Sequence, residues 1–327
     1  MGIEIIGTGS CVPQMKVHSR DLDRQHDMPA GHLESATGVT SRYYCTGESQ
    51  IDLAVEASRR ALQDADVEAS EVDLIISGCG IPYQTLPSTA PLVQKELGIG
   101  NGMASAFDVN STCLSFLNAL DYAAHLLTTG SFRTALLFSA DIASRALPWR
   151  EAPEVAGLFG DGAAAVVIRH TSGPDNRTFH MRTYPSAYDA CQIAAGGTRF
   201  DFHKDNREFA ENTVFKMNGT DLFRITVANF SKFVDETLAA AGWSKSEVDL
   251  VIPHQASPHA LSHMIRLTGF DAGKVVNIAS EYGNQIAASI PTCLDLAIRQ
   301  GRIERGCKLL FLGTSAGVSL GGMTFEF

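Results

Sequence analysis

Three junctions in this sequence carry residue types that suit covalent acyl chemistry. Asp108-Val109-Asn110-Ser111-Thr112-Cys113 leads a strand-like run into a helical one and leaves a cysteine at the helix start. The free N–H groups and positive potential of such a terminus lower a thiol's pKa. Pro253-His254-Gln255-Ala256 puts a histidine at the carboxyl end of a buried strand, where open α/β sheets bind ligands. Glu281-Tyr282-Gly283-Asn284 leads into another helical run. Taken singly, Cys113 suits a small buried apolar group, His254 a structural imidazole and Asn284 a helix cap. Taken together they offer a thiolate nucleophile and two donors for a developing oxyanion. Gly313-Thr314-Ser315-Ala316-Gly317, between the last two strands, is either an ordinary glycine turn or a further source of a backbone N–H for a carbonyl oxygen.

The elements that must position these residues are written twice. Ser70-Glu71-Val72-Asp73-Leu74-Ile75-Ile76 recurs as Ser246-Glu247-Val248-Asp249-Leu250-Val251-Ile252. Each copy follows an alanine-rich amphipathic segment, 53–65 in the first half and 230–241 in the second. Downstream of the first copy come a helix near 88–97, Gly98, a strand near 103–109 and a helix from Cys113 to about Leu127. Downstream of the second come a helix near 257–267, Gly269, a strand at 274–278 and a helix from Gln285 to about Arg299. Strands at 134–138 and 308–312, then 163–168 and 322–327, complete the match, and each half opens with a strand, at 3–8 and near 178–184. Two βαβαβαββ halves, 1–172 and 173–327, are therefore expected, with mostly parallel sheets covered by helices. The join falls in the polar stretch Thr171-Ser172-Gly173-Pro174-Asp175-Asn176. The duplication alone predicts that the Cys113 and Asn284 junctions face each other. The less regular segment 185–212 reads as a surface excursion, a candidate substrate cover.

Composition sets the outer bounds. The chain has 327 residues, 45% of them hydrophobic and 19% charged, which is enough for a sizeable core and unlike a disordered chain. A formal net charge of −10 with no Lys/Arg run speaks against nucleic acid as a partner. No apolar stretch reaches the roughly 20 residues that cross a bilayer, so no membrane role is expected. The opening Met1-Gly2-Ile3-Glu4 lacks the basic region of a signal peptide. The 7 cysteines are scattered, odd in number and without a CxxC pair. That argues against a disulfide framework or a structural metal site and points to the cytoplasm.

On these motifs the sequence resembles β-ketoacyl-acyl-carrier-protein synthase III, of the thiolase superfamily. The matching runs are Asp108–Cys113, Phe159-Gly160-Asp161-Gly162-Ala163, His254-Gln255-Ala256 and Tyr282-Gly283-Asn284 followed by Ala287-Ala288-Ser289-Ile290-Pro291. The resemblance spans the whole chain and implies a five-layered αβαβα thiolase fold and a homodimer. It implies that Cys113 accepts an acyl group from a thioester. His254 and Asn284 would then hold a malonyl thioester as it loses CO2, and the carbanion would attack the acyl-Cys113. Backbone N–H groups of Cys113 and Gly317 would form the oxyanion hole, and Phe159, Met217, Gly219, Phe223 and Ala256 would line the pantetheine tunnel. No metal or prosthetic group is implied; thioesters of coenzyme A or acyl-carrier protein are the substrates.

The sequence departs from the family at the tunnel mouth. The usual Trp and Arg that clamp coenzyme A's adenine end align with His32 and Ala36, and a second Arg aligns with Pro153. Ser257 replaces the Asn after His-Gln-Ala, and Ser315-Ala316-Gly317 replaces a triple glycine. Losing these stacking and guanidinium contacts weakens coenzyme A binding, so a donor other than plain acetyl-coenzyme A is expected. His259 and His263 are four apart on a helix, a spacing that can suit a metal, but lack a third ligand and read as surface residues. Arg145 reads as structural. Arg224 and Arg266 are either an ordinary solvated face or contacts for an acidic carrier protein. The alternative function is transfer of the Cys113-bound acyl group to an oxygen, nitrogen or sulfur of a metabolite; the malonyl-directed Asn284 favours condensation.

Overall fold

Alternating strand and helix signals in each half build one sheet apiece in a computed structural model that describes residues 2–327. In chain order the first half runs β1 (Ile3–Cys11), β2 (Met15–His18), α1 (Ser19–Gln25), α2 (His32–Thr37), β3 (Ser41–Tyr44) and α3 (Gln50–Asp64). It continues through β4 (Leu74–Ser77), α4 (Thr89–Glu96), β5 (Ser105–Asp108), α5 (Ser115–Thr128), β6 (Thr134–Asp141), α6 (Pro153–Ala156) and β7 (Gly162–His170). The second half runs β8 (Arg177–Thr183), β9 (Cys191–Gln192), α7 (Asn206–Glu211), β10 (Lys216–Met217), α8 (Gly219–Ala240) and β11 (Leu250–Pro253). It ends with α9 (Pro258–Thr268), α10 (Ala279–Tyr282), α11 (Ser289–Arg299), β12 (Lys308–Ser315) and β13 (Ser319–Glu326).

The first sheet has the order β1-β7-β6-β4-β5, the second β11-β12-β13-β8. Strands β4, β5 and β6 are parallel, as are β11 and β12, while β7 and β13 run antiparallel to their neighbours. Strand β6 is buried at all 8 positions. A strand covered on both faces reads as a continuous apolar run, which is how Ala135–Phe138 is written. Helices α5 and α11 lie between the sheets, their Leu117, Leu120, Ile290 and Leu294 packing with Leu137 on one side and Phe311 on the other. Helices α3 and α4 cover the outer face of the first sheet, and α8 and α9 that of the second. The result is five layers, αβαβα, with the interior helices aiming their N-termini at the seam between halves.

Two local expectations differ from the structure. The strand expected at 274–278 is reduced to a single bridge, Val251 to Val275. The buried Gln255 side chain explains it: its amide N–H donates to the Val276 carbonyl, and its oxygen accepts from Ile278 and Ala279 N–H. These groups are thereby satisfied without a ladder. The excursion at 185–212 is not structureless. Its β9 pairs with β10 just beyond it, and α7 is capped by Asp205, whose carboxylate accepts the Arg207 and Glu208 N–H groups.

Candidate active site

The two expected junctions are near mirror images, 174 positions apart. In each, a short 3-10 turn precedes the interior helix: Thr112–Leu114 before α5, Ile286–Ala288 before α11. In each, the residue ahead of the turn's centre is forced to positive φ, Thr112 at 54° and Ile286 at 53°. Such a backbone is strained for β-branched residues and must be held by its surroundings. An asparagine holds each one: Asn110 Oδ1 accepts the Thr112 N–H at 3.1 Å and Asn284 Oδ1 accepts the Ile286 N–H at 2.8 Å. A serine closes each turn, Ser115 Oγ donating to the Thr112 carbonyl and Ser289 Oγ to that of Ile286. The turns touch each other, and Cys113 packs against Ile286 and Ala287.

The mirror breaks at the central residue. Cys113 stands opposite Ala287, and the Ala287 N–H is taken by the Asp141 carboxylate at 3.1 Å. The residue mirroring Asp141 is Ser315, which carries no carboxylate. The Cys113 N–H points instead at its own sulfur, which also receives the Ala316 N–H.

Asn284 is fixed on every side. Its backbone bridges to Phe159, with Asn284 N–H donating to the Leu158 carbonyl and Gly160 N–H to the Asn284 carbonyl. Gly160 permits this approach, since a Cβ there would lie 2.2 Å from the Tyr282 carbonyl oxygen. With Oδ1 committed to the Ile286 N–H, Nδ2 must face the Ala256 carbonyl at 3.3 Å, leaving its second hydrogen for a ligand. His254 is buried, its Nδ1 2.7 Å from Ser289 Oγ. Burial drives its pKa down to about 4, so the imidazole is neutral at neutral pH. Gly313 keeps it close to the cysteine turn: a Cβ on Gly313 would lie 2.8 Å from Leu114 Cδ2 and 3.0 Å from His254 Cβ. Thiol, imidazole and carboxamide thus all rest on the Ile286–Ser289 turn.

Electrostatics at Cys113 run against the sequence-based expectation. Burial, then the Asp141 carboxyl and the Cys191 thiol, push its pKa up to about 12 despite the two N–H groups at the sulfur. The helix terminus is outweighed by burial, so thiol and imidazole are both neutral and attack requires proton removal. Asp141 accepts from Gly80, Ile81 and Ala287 N–H groups and is fully buried, and burial raises its pKa to about 7. Above that value its charge opposes the thiolate; below it the charge disappears. Asp141→Asn is therefore expected to speed iodoacetamide alkylation of Cys113 about threefold or more near pH 8 and hardly at all near pH 6. Mass spectrometry of the quenched protein checks this, and equal rates near pH 8 would rule out the carboxylate as the cause.

Comparison with known proteins bears on the same residues. The family description "3-Oxoacyl-[acyl-carrier-protein (ACP)] synthase III" matches residues 107–185, and its C-terminal counterpart matches 238–327. A β-ketoacyl-[acyl-carrier-protein] synthase III of Alkalilimnicola ehrlichii is 36% identical, covering 99% of this chain and 98% of that one. The namesake from Neisseria gonorrhoeae is 33% identical, covering 99% of both. This chain belongs to the β-ketoacyl-[acyl-carrier-protein] synthase III family. Solved structures agree: the Aquifex aeolicus synthase III superposes with a TM-score of 0.89 at 30% identity, covering all of both chains. A priming β-ketosynthase of the R1128 polyketide pathway superposes at 0.90 with 25% identity, covering 99% of this chain and 96% of that one. The chain is accordingly an acyltransferase of the condensing type with a thiolase-like fold.

The remaining synthase III positions spread from this centre outward. Phe159 is buried in the cluster that holds Cys113 and meets Phe215 edge-to-face at 5.2 Å. Ala256 supplies the carbonyl for Asn284. Met217 lies on β10 opposite Cys191, and Gly219 opens α8 with Met217 Cε nearby. Phe223 is 55% exposed and stands against the His263 ring, whose centroid is 4.8 Å away. His263 is therefore half-covered rather than a plain surface residue, while His259 is exposed. Among the described residues no three His, Cys, Asp or Glu side chains form a metal-binding group. Gly317, expected to give an oxyanion donor, follows Ala316 at φ 121°. Arg224 pairs with Asp221, Arg266 leans on His263, and Arg145 reaches the Glu48 carbonyl. His32 Nε2 meets Glu154 Oε1 at 2.8 Å, so a carboxylate follows Pro153 in the chain and faces His32.

Sequence reasoning missed Asp141, Cys191 and Phe215. Asp141 has no local signature, because only the tertiary fold buries it against three backbone donors. Cys191 lies in the irregular 185–212 stretch and Phe215 just beyond it, where no period marks either.

Proposed function

We propose that Cys113 Sγ takes the acyl group of a thioester and that the acyl-enzyme condenses with a decarboxylated malonyl thioester to give a β-ketoacyl thioester. The observation that carries this reading is the meeting of thiol, neutral imidazole and oriented carboxamide on one buried turn. His254 Nε2 removes the thiol proton as sulfur attacks the thioester carbonyl. The tetrahedral oxyanion is held by the N–H of Cys113 and by the Ser315–Gly317 turn, and the leaving thiolate departs with the proton. The malonyl thioester carbonyl then binds His254 and Asn284 Nδ2, CO2 leaves, and the enolate carbon attacks the acyl carbonyl. Each oxyanion donor lowers the barrier by about 2.7–4 kcal/mol. The scheme needs no metal or prosthetic group.

The acyl donor is a thioester other than plain acetyl-coenzyme A, borne on coenzyme A or an acyl-carrier protein. His32, Ala36 and Glu154 support this, because they offer a nucleotide neither an indole face nor a guanidinium. The functional unit is a homodimer. Its support is the free edge strand β5, around which Tyr83, Leu86, Met103 and Tyr122 expose large apolar side chains. All seven cysteines are free, which suits the cytoplasm. No helix among the described residues is long and apolar enough to cross a membrane. The test is the intact mass of the enzyme after exposure to a panel of acyl-coenzyme A and acyl-carrier thioesters. The expected result is an acyl mass at Cys113 from a longer or substituted donor. Acylation by acetyl-coenzyme A at low micromolar concentration would refute the donor assignment.

A further inference from the structure

Ser289 is fully buried at the start of α11 and takes part in no step of the scheme above. Its oxygen is nevertheless at the centre of the imidazole's environment. Ser289 Oγ lies 2.8 Å from the Ile286 carbonyl oxygen, 2.7 Å from His254 Nδ1 and 3.4 Å from the Gln255 N–H. A hydroxyl has one proton to donate and two lone pairs with which to accept. The Ile286 carbonyl can only accept and the Gln255 N–H can only donate. The arrangement that satisfies every group sends the hydroxyl proton to Ile286 and leaves the oxygen to accept from Gln255 and from a protonated Nδ1.

The other half supplies an internal comparison. Ser115 makes the same bond to the Thr112 carbonyl, at 2.6 Å, and its oxygen accepts the Ser111 N–H. In the first half the residue mirroring His254 is Gly78, so no ring is present. The serine is thus a turn-closing device in both halves, and only in the second does an imidazole share its oxygen.

From this we propose that Ser289 is a positioning residue that fixes His254 as the Nδ1–H tautomer, so that every proton gained or lost by the imidazole passes through Nε2. The inference rests on the role given to His254 under Proposed function. In acylation Nε2 takes the Cys113 proton and returns it to the departing thiolate. Condensation consumes one proton overall, since a carboxylate is lost as CO2 and Cys113 ends as a thiol. That proton enters from solvent at Nε2, where it serves the enolate oxygen, and finishes on the Cys113 sulfur. Nδ1–H stays with Ser289 Oγ throughout.

The experiment combines ring-15N histidine NMR of the full-length enzyme with single-turnover acylation of Cys113 followed by mass. His254 resonances are assigned by their loss in His254→Gln. In the wild type, Nδ1 is expected to be protonated and Nε2 bare; a protonated Nε2 with bare Nδ1 in the free enzyme would overturn the proposal, whatever the variants do. Ser289→Ala is expected to mix the tautomers and slow acylation about tenfold with little change in substrate KM. Ser289→Thr, which keeps the hydroxyl, is expected to restore the nitrogen pattern and most of the rate. Ser115→Ala is expected to leave the His254 nitrogens untouched, which separates tautomer control from simple closure of a turn. A Ser289→Ala protein with the wild-type nitrogen pattern, or one rescued by no hydroxyl, would also defeat the proposal. Failure of the wild type to carry any acyl mass at Cys113 is a different outcome: it removes the reading of His254 itself and the inference with it.

Discussion

Cys113→Ala is expected to abolish the acyl-enzyme and to lower condensation by at least about 10³-fold, while CO2 release from a malonyl thioester persists at a rate of the wild-type order. The two halves of the reaction use different atoms. Acyl transfer needs the sulfur, whereas decarboxylation needs only the malonyl carbonyl seated between His254 and Asn284 Nδ2. Removing the thiol leaves Ile286, Ala287 and their anchors in place, because Ala287 already shows that the same turn accepts alanine at this position. The checks are intact mass after incubation with an acyl thioester and CO2 release without an acyl donor. Normal condensation by the variant would end the covalent mechanism.

The second large effect is the converse. Asn284→Ala is expected to lower CO2 release about 10²–10³-fold, as for loss of one oxyanion donor, while Cys113 is still acylated within a few-fold of the wild-type rate. The substitution also removes the acceptor for the strained Ile286 N–H, so a stability loss of about 1–3 kcal/mol should accompany it. Asn284→Asp separates the two consequences. It keeps an oxygen for Ile286 but presents another oxygen, instead of N–H, to Ala256 and the substrate. Slow CO2 release with near-normal stability in Asn284→Asp is the expected result; wild-type release in both variants would exclude Asn284 from the decarboxylating site.

Much of this architecture was legible before any coordinates. The echo of Ser70–Ile76 in Ser246–Ile252 set both halves in register, and the match of 134–138 with 308–312 extended it to a further strand in each half. The convergence of the Cys113 and Asn284 junctions followed from duplication alone. What escaped depends on interactions between segments distant in sequence. A valine-rich stretch at 274–278 has strand propensity, yet Gln255 occupies its hydrogen-bonding groups, and no local pattern encodes a side chain 20 or so residues away. The thiol's pKa failed for the same reason. A helix terminus is visible in sequence, whereas the apolar lining from Phe159 and Ile286 and the approach of Asp141 are not. Cys191 reaches the centre from the irregular 185–212 segment and Phe215 from just beyond it, and neither is marked by a period in the sequence.

The broken mirror at Cys113 and Ala287 says something about how a doubled gene can come to hold a single reactive centre. Both copies retain the bent backbone, the asparagine anchor and the serine latch, so the scaffold for a nucleophile persists in duplicate. One copy has its central amide engaged by Asp141 and has become a rigid wall; in the other that amide meets no carboxylate and faces the Cys113 sulfur. Descendants of such a duplication can therefore alter the wall to reshape what lies opposite the nucleophile without disturbing the nucleophile's own cradle.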